Sequence, residues 1–258
     1  MENKFIDKIY SRFVVPRKSN IIYRQYLSFK DLYFRLYEYL IAKGISRNIT
    51  KNLNKDLLTV VVVSAGRKQY LKKTLRSLKE KLIYDKKKIL WYIIDDCPED
   101  KETRDYIKSL NFDLVLFNKK NRGIGYSLNK IYQNVRTKYV FLCEDDWEFL
   151  RPIPIKKMMQ LLEKDSSLGQ IVLGWELYWK FNLKGNKDYA IFADCFSRNP
   201  NLLKQEVFVK NFPVPFKNSE TEYTKKVRDS GFKTGVLGYK KKEVFVRHLG
   251  LLRKVVKY

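Results

Sequence analysis

The chain has 258 residues, 45% of them apolar and 15% aromatic, enough to bury one sizeable core and too aromatic for a disordered tail. Lys plus Arg number 53 against 28 Asp plus Glu, a net charge of +25, which draws a protein to nucleic acid, anionic headgroups or phosphorylated substrates. The three cysteines (Cys97, Cys143, Cys195) lack CxxC spacing and His248 is the single histidine, so a disulfide framework and a structural zinc site are not expected, and any two-histidine mechanism is excluded.

Residues 1–56 are basic and aromatic, with Leu32, Tyr33, Leu36, Tyr37, Leu40 and Ile41 at helical spacing; they predict a helical extension. No leader is expected at Met1–Tyr10 and no membrane-spanning run occurs, which fits the cytosol. Alternation begins at residue 57. Leu57–Ser64 predicts a strand buried on both faces, Gln69–Lys81 a helix, Lys88–Ile94 a strand and Lys101–Leu110 a helix. Phe112–Phe117 predicts a third strand, Ser127–Val135 a helix and Lys138–Cys143 a fourth strand. This order predicts an α/β fold with a mostly parallel sheet. Beyond Pro152 and Pro154, Ile155–Lys164 reads as helix, Gln170–Phe181 as strand and 182–201 as loop. Asn201–Asn211 reads as helix, as does Glu222–Ser230. Thr234–Leu237 and Glu243–Val246 read as short strands, with His248 just beyond the last.

Two acidic clusters fall at predicted strand ends, Asp95-Asp96 and Glu144-Asp145-Asp146. Parallel sheets bind ligands there. Crowded carboxylates repel unless a cation compensates, and hard divalent ions prefer oxygen donors. Trp175, Glu176, Tyr178 and Trp179 form an aromatic cluster that suits either strand packing or a sugar face.

The succession VVVVSAGR, YIIDDCPEDKETRDYI, NKKNRGIGYSLNKIYQ, KYVFLCEDDWEF, SETEYTKKVRDSGFK and VRHLG resembles a family 2-type glycosyltransferase of the GT-A fold. The likeness runs over about residues 57–250. It implies a nucleotide-binding half at 57–150 and an acceptor half at 151–258. It also implies a nucleotide-diphosphate sugar donor and a divalent cation, Mn²⁺ or Mg²⁺. Ser64, Ala65, Gly66 and Arg67 match the family's nucleotide pocket, Asp95 and Asp96 its base and ribose contacts, and Asn121, Arg122 and Gly123 its loop beside the nucleotide. Glu144, Asp145 and Asp146 match the DxD-type motif, with Asp146 on the metal and the first two acids near ribose and sugar. His248 matches the histidine that completes coordination. The family's catalytic base falls on Glu220, with Glu222 one helical step away and the usual Glu-Asp pair absent. Inverting transfer to an acceptor hydroxyl is implied, the acceptor being a glycan, a lipid-linked sugar or a protein. A GT-A-like nucleotidyltransferase and a non-catalytic nucleic-acid-binding protein are the alternatives, but no specific nucleic-acid motif occurs. The basic ends of the chain suit peripheral contact with an anionic membrane at the inner face.

Overall fold

The structure, a computed structural model, describes residues 53–192, 196–214 and 219–250, with the side chains of 219 and 220 outside that set. The expected N-terminal helical extension, the basic C-terminal tail and Cys195 lie outside the described residues. In chain order come β1 (Asn54–Ser64), α1 (Lys68–Lys81), β2 (Ile89–Asp95), α2 (Lys101–Lys108), β3 (Leu114–Phe117), α3 (Ile124–Tyr132), β4 (Thr137–Glu144) and β5 (Trp147–Phe149). There follow α4 (Ile155–Lys164), β6 (Leu168–Val172), β7 (Lys184–Gly185), β8 (Tyr189–Phe192), β9 (Asn201–Lys204), α5 (Gln205–Asn211), α6 (Ser219–Asp229), β10 (Lys233–Leu237) and β11 (Val246–His248).

Among the described residues nine strands form one sheet in the order β3-β2-β1-β4-β9-β6-β10-β8-β7. Among them β3, β2, β1, β4, β6, β10 and β7 share one direction, and only β9 and β8 run against it. Alternation along β1 explains the layers. Leu58, Val60 and Val62 face one core with Leu71, Leu75 and Leu78 of α1 and Met158 and Leu162 of α4. Val61 and Val63 face the other, with Ile131 and Tyr132 of α3, Phe208 of α5 and Tyr223 of α6. Each fully buried aliphatic side chain contributes about 1.5–3 kcal/mol, so the β-branched run that fits this doubly covered strand also anchors the domain.

β1 pairs in parallel with both β2 and β4. The chain therefore winds outward through β2 and β3, then returns past β1 to β4. That reversal opens a crevice at the carboxyl ends of β1 and β4. Among the described residues no helix is long and apolar enough to cross a membrane.

Four local expectations fail. The strand expected over Gln170–Phe181 stops at Val172, and Glu176–Lys180 is a 3-10 turn. At Gly174 a Cβ would lie 2.4 Å from the Glu243 carbonyl and 2.7 Å from that of Leu237, so neighbouring backbone occupies the space a regular strand residue needs. The helix expected over Asn201–Asn211 begins at Gln205, because Asn201–Lys204 is a fully buried strand between β4 and β6. Pairing on both edges overrides the helical pattern. Residues 182–201 contain the β7–β8 hairpin rather than only loop. His248 lies within the last strand instead of beyond it, because Val246–His248 pairs antiparallel with β5, an element the sequence did not announce.

Candidate functional site

The β1–α1 loop, Ser64 to Arg67, turns at the crevice. Ser64 is fully buried and its Oγ donates to Asp95 Oδ1 at 2.9 Å. The Ala65 N–H donates to Asp145 Oδ2 at 2.9 Å. Gly66 takes φ +72°, and a Cβ there would lie 2.5 Å from Cys97 Cβ, so only glycine fits the turn. Asp95, at the end of β2, also accepts from the Cys97 N–H at 3.2 Å and from Arg104 Nε at 3.0 Å. The structure thus commits it inward. Burial holds its carboxyl above the ordinary carboxylate range despite these donors.

Asp96 is turned to the following loop. It accepts from Asn118 Nδ2 at 2.7 Å, from the Arg122 N–H at 2.9 Å and from the Gly123 N–H at 2.6 Å. Gly123, at φ +83°, precedes the first turn of α3. Asp96 therefore fixes the Asn121–Arg122–Gly123 loop, whose Asn121 and Arg122 remain exposed at the crevice. Asn118 in turn accepts from Lys130 Nζ at 3.1 Å, and burial lowers the Lys130 pKa.

The third acidic group forms the turn between β4 and β5. Asp145 and Asp146 are 0% and 4% exposed. Arg67 spans them: one Nη lies 2.7 Å from Asp146 Oδ2 and the other is bonded to Asp145 Oδ1. Burial raises the Asp145 pKa against the opposing pull of Arg67. Thr74 Oγ1 donates to the Asp145 carbonyl at 2.8 Å and accepts from the Trp147 N–H at 3.1 Å, so α1 fixes the turn. His248 stands opposite Trp147 in the β5–β11 ladder, and its Nε2 lies 3.6 Å from Asp146 Oδ2. Trp175 packs against the imidazole at 6.0 Å between ring centres, nearly parallel. A Cβ at Gly250 would stand 3.0 Å from Asp146 Oδ2 and 2.9 Å from His248 Cε1, so a side chain there would crowd both groups.

Glu144 faces a cavity of about 300 Å³ lined also by Trp175, Arg198, Asn199 and His248. Arg198 Nη1 is 3.9 Å from its Oε1. Burial pushes the Glu144 carboxyl up to about 7, with Arg198 pulling the other way. Acids from β2 and β4, the loop after β1 and a histidine from the last strand thus converge on one crevice.

The model of glycosyl transferase family 2 matches residues 59–206. The chain belongs to this family. Among curated proteins no sequence match is found. The solved structures it resembles are GT-A glycosyltransferases, at identities that speak to the fold. The Staphylococcus aureus TarS 1–349 structure in complex with UDP-GlcNAc superposes with a TM-score of 0.56 at 15% identity, over 75% of this chain and 60% of that one. The Pyrobaculum calidifontis mannosyltransferase PcManGT with GDP-Man and Mn²⁺ gives 0.55 at 13%, over 78% and 63%. GalNAc-T7 with UDP, GalNAc and Mn²⁺ gives 0.54 at 14%, over 72% and 43%. The chain thus spans about six-tenths of the TarS 1–349 and PcManGT structures.

A family 2 fold directs attention to a divalent cation. Among the described residues no group of three or more His, Cys, Asp or Glu side chains is gathered for one. Asp146 and His248 provide two donors. Asp146 Oδ1 is buried without a hydrogen-bond partner among the described residues, an uncompensated position that a cation would satisfy. The pair would suit a hard cation that takes its other ligands from elsewhere. Glu220 and Glu222 both lie in the first turns of α6, but the Glu220 side chain is outside the described residues. Three residues around this site escaped the sequence reading. Thr74 left a trace, as a polar residue within the stripe of Leu71, Leu75 and Leu78. Asn118 left another, at the carboxyl end of β3. Arg104 carried no signal of its own on a basic helix.

Proposed function

We propose that this family 2 domain transfers a sugar from a nucleoside diphosphate donor to an acceptor hydroxyl, with inversion and with Mn²⁺ or Mg²⁺ at Asp146 and His248. The observation that carries the reading is the buried Asp146 Oδ1 beside His248, unpartnered among the described residues, at the point where the sheet order reverses. The TarS and PcManGT structures are complexes with UDP-GlcNAc and with GDP-Man and Mn²⁺, which supports the donor class and the cation. Family membership also favours sugar transfer over the nucleotidyltransferase and nucleic-acid readings.

The Asn121–Gly123 loop, pinned by Asp96, and the Ser64–Arg67 turn hold the nucleotide. Asp95 and Asp96 act from behind as positioning residues, since their oxygens are already occupied by Ser64, Arg104, Asn118 and the loop N–H groups. Glu144 and Asp145 stand on the sugar and ribose side, with Glu144 facing the cavity. Held by Asp146 and His248, a divalent cation would neutralise the charge that develops on the leaving diphosphate. Glu220 removes the acceptor proton. The freed oxygen attacks the anomeric carbon from the face opposite the diphosphate. The new glycosidic bond forms as the bond to phosphate oxygen breaks, and that electron pair leaves with the nucleoside diphosphate. The acceptor is a hydroxyl on a glycan, a lipid-linked sugar or a protein.

Calorimetric titration with UDP, GDP and dTDP, each with and without Mn²⁺, tests the site. One nucleotide binding in a Mn²⁺-dependent way, and losing that binding in Asp146→Ala, supports it. No binding by folded protein overturns it. Glu220→Gln is expected to abolish turnover while keeping nucleotide affinity; full activity in Glu220→Gln with loss in Glu222→Gln moves the base to Glu222.

A further inference from the structure

We infer that Arg67 is the built-in counter-ion of the acidic turn: it competes with the divalent cation for Asp146 and passes to the donor's diphosphate when the cation binds. The inference rests on the metal-dependent reading above and goes beyond it, because it assigns an exchange to a residue of this chain.

The geometry is specific. The Asp146 oxygen that faces His248 Nε2 at 3.6 Å is the same Oδ2 that accepts from Arg67 at 2.7 Å. The second Nη of Arg67 is bonded to Asp145. One positive charge thus bridges two buried acids. Among the described residues nothing satisfies Asp146 Oδ1, and the Arg67 Nε is also buried without a partner there. The arrangement is a partial match on both sides: the acids lack part of their compensation and the guanidinium lacks part of its acceptors. A divalent cation at Asp146 supplies more charge than the guanidinium does, and the two cations repel at the shared oxygen. The guanidinium side chain is 34% exposed, so it has a route outward from the turn. Its fork suits the oxygens of a diphosphate as well as it suits two carboxylates. Cation and diphosphate are therefore expected to favour each other's binding, since each accepts one half of the ion pair that the other displaces.

The test is Mn²⁺ binding, read by the electron paramagnetic resonance signal of free Mn²⁺, for wild type, Arg67→Gln, Arg67→Lys and Asp146→Asn, with folding checked by circular dichroism. Wild type is expected to bind Mn²⁺ weakly alone and at least tenfold more tightly with UDP, GDP or dTDP. Arg67→Gln is expected to bind Mn²⁺ alone at least tenfold more tightly than wild type and to lose most of the nucleotide-induced gain. Arg67→Lys, which keeps the charge without the fork, should fall between them and carries the test if Arg67→Gln does not fold. Asp146→Asn should not bind. Equal or weaker Mn²⁺ binding in the folded Arg67 variant, with nucleotide-dependent binding intact in wild type, overturns this inference and leaves the metal reading standing. No Mn²⁺ uptake by wild type or by Arg67 variants, with or without nucleotide, overturns both.

Discussion

Asp95 and Arg104 form an ion pair, Oδ2 to Nε at 3.0 Å, in which the acid is completely buried. The pair does not lower the carboxyl pKa. Burial raises it above the ordinary value, and the hydrogen bonds from Ser64 and Arg104 offset only part of that effect. Desolvation of a buried charge commonly exceeds its pairwise attraction. The consequence for pH has a definite sign. With a raised folded pKa, at any pH between the unfolded and folded values the native state holds more of the Asp95 proton than the unfolded chain does. The contribution of this group to stability therefore falls as pH rises from the unfolded value toward the folded one. Urea denaturation between about pH 3.5 and 7, on wild type and Asp95→Asn, should show wild type losing stability relative to the variant as pH rises. A difference that moves the other way would mean that Arg104 outweighs burial.

Asp96→Asn should weaken the loop before α3. The carboxylate accepts from Asn118 and from two successive backbone N–H groups, Arg122 and Gly123. The amide replaces one accepting oxygen with a donor that faces those donors. A loss of about 2–3 kcal/mol is expected, read as a shift in the denaturation midpoint. Nucleotide affinity should fall as well, because the loop that Asp96 pins stands at the crevice. Unchanged stability would remove the loop-fixing role.

Gly66 and Gly231 separate two costs of placing a side chain at positive φ. Gly231 follows α6 at φ +81°, and a Cβ there would meet nothing within 4 Å among the described residues, whereas at Gly66, φ +72°, Cys97 Cβ and Sγ would lie 2.5 and 2.6 Å away. Gly231→Ala should cost about 1–2 kcal/mol from backbone conformation alone. Gly66→Ala adds a clash with packed neighbours and should cost about 3 kcal/mol or more. Thermal melts of the two variants give the comparison, and equal losses would show that the turn after β1 relaxes around the extra methyl group.

Residues 57–150 were legible because their physical signals are local. Leu58 to Val63 form a β-branched run because β1 is covered on both faces, and the acids at 95–96 and 144–146 close two of its neighbouring strands. The later half was less legible because its structure depends on distant chain. Asn201–Lys204 becomes strand only by pairing with β4 and β6, and a window of eleven residues contains neither partner. His248 reaches Asp146 through a ladder with Trp147, about a hundred residues earlier, which no periodicity near either residue records. Arg67 falls in the strand-end segment matched to the nucleotide pocket, and its guanidinium meets Asp145 and Asp146. Sequence can place a basic residue at the end of a strand, but only the fold decides which charge it meets.

Thr74 is the residue through which α1 controls the acidic turn. Its hydroxyl donates to the Asp145 carbonyl at 2.8 Å and accepts from the Trp147 N–H at 3.1 Å, and it is fully buried. These bonds fix the backbone on both sides of Asp146, while the Asp146 carbonyl is held by the Leu249 N–H at 2.8 Å. Thr74→Val preserves shape and leaves a buried carbonyl and a buried N–H without that partner, at a cost of about 2 kcal/mol. Thr74→Ser keeps the hydroxyl and loses only a methyl group. Thr74→Val should therefore lose stability and weaken Mn²⁺-dependent nucleotide binding together, while Thr74→Ser loses some stability but keeps the binding. Denaturation and calorimetry on both variants separate the roles. If the two variants lose binding equally, packing rather than the hydroxyl bridge governs the turn, and α1 acts on the acidic site only as a wall.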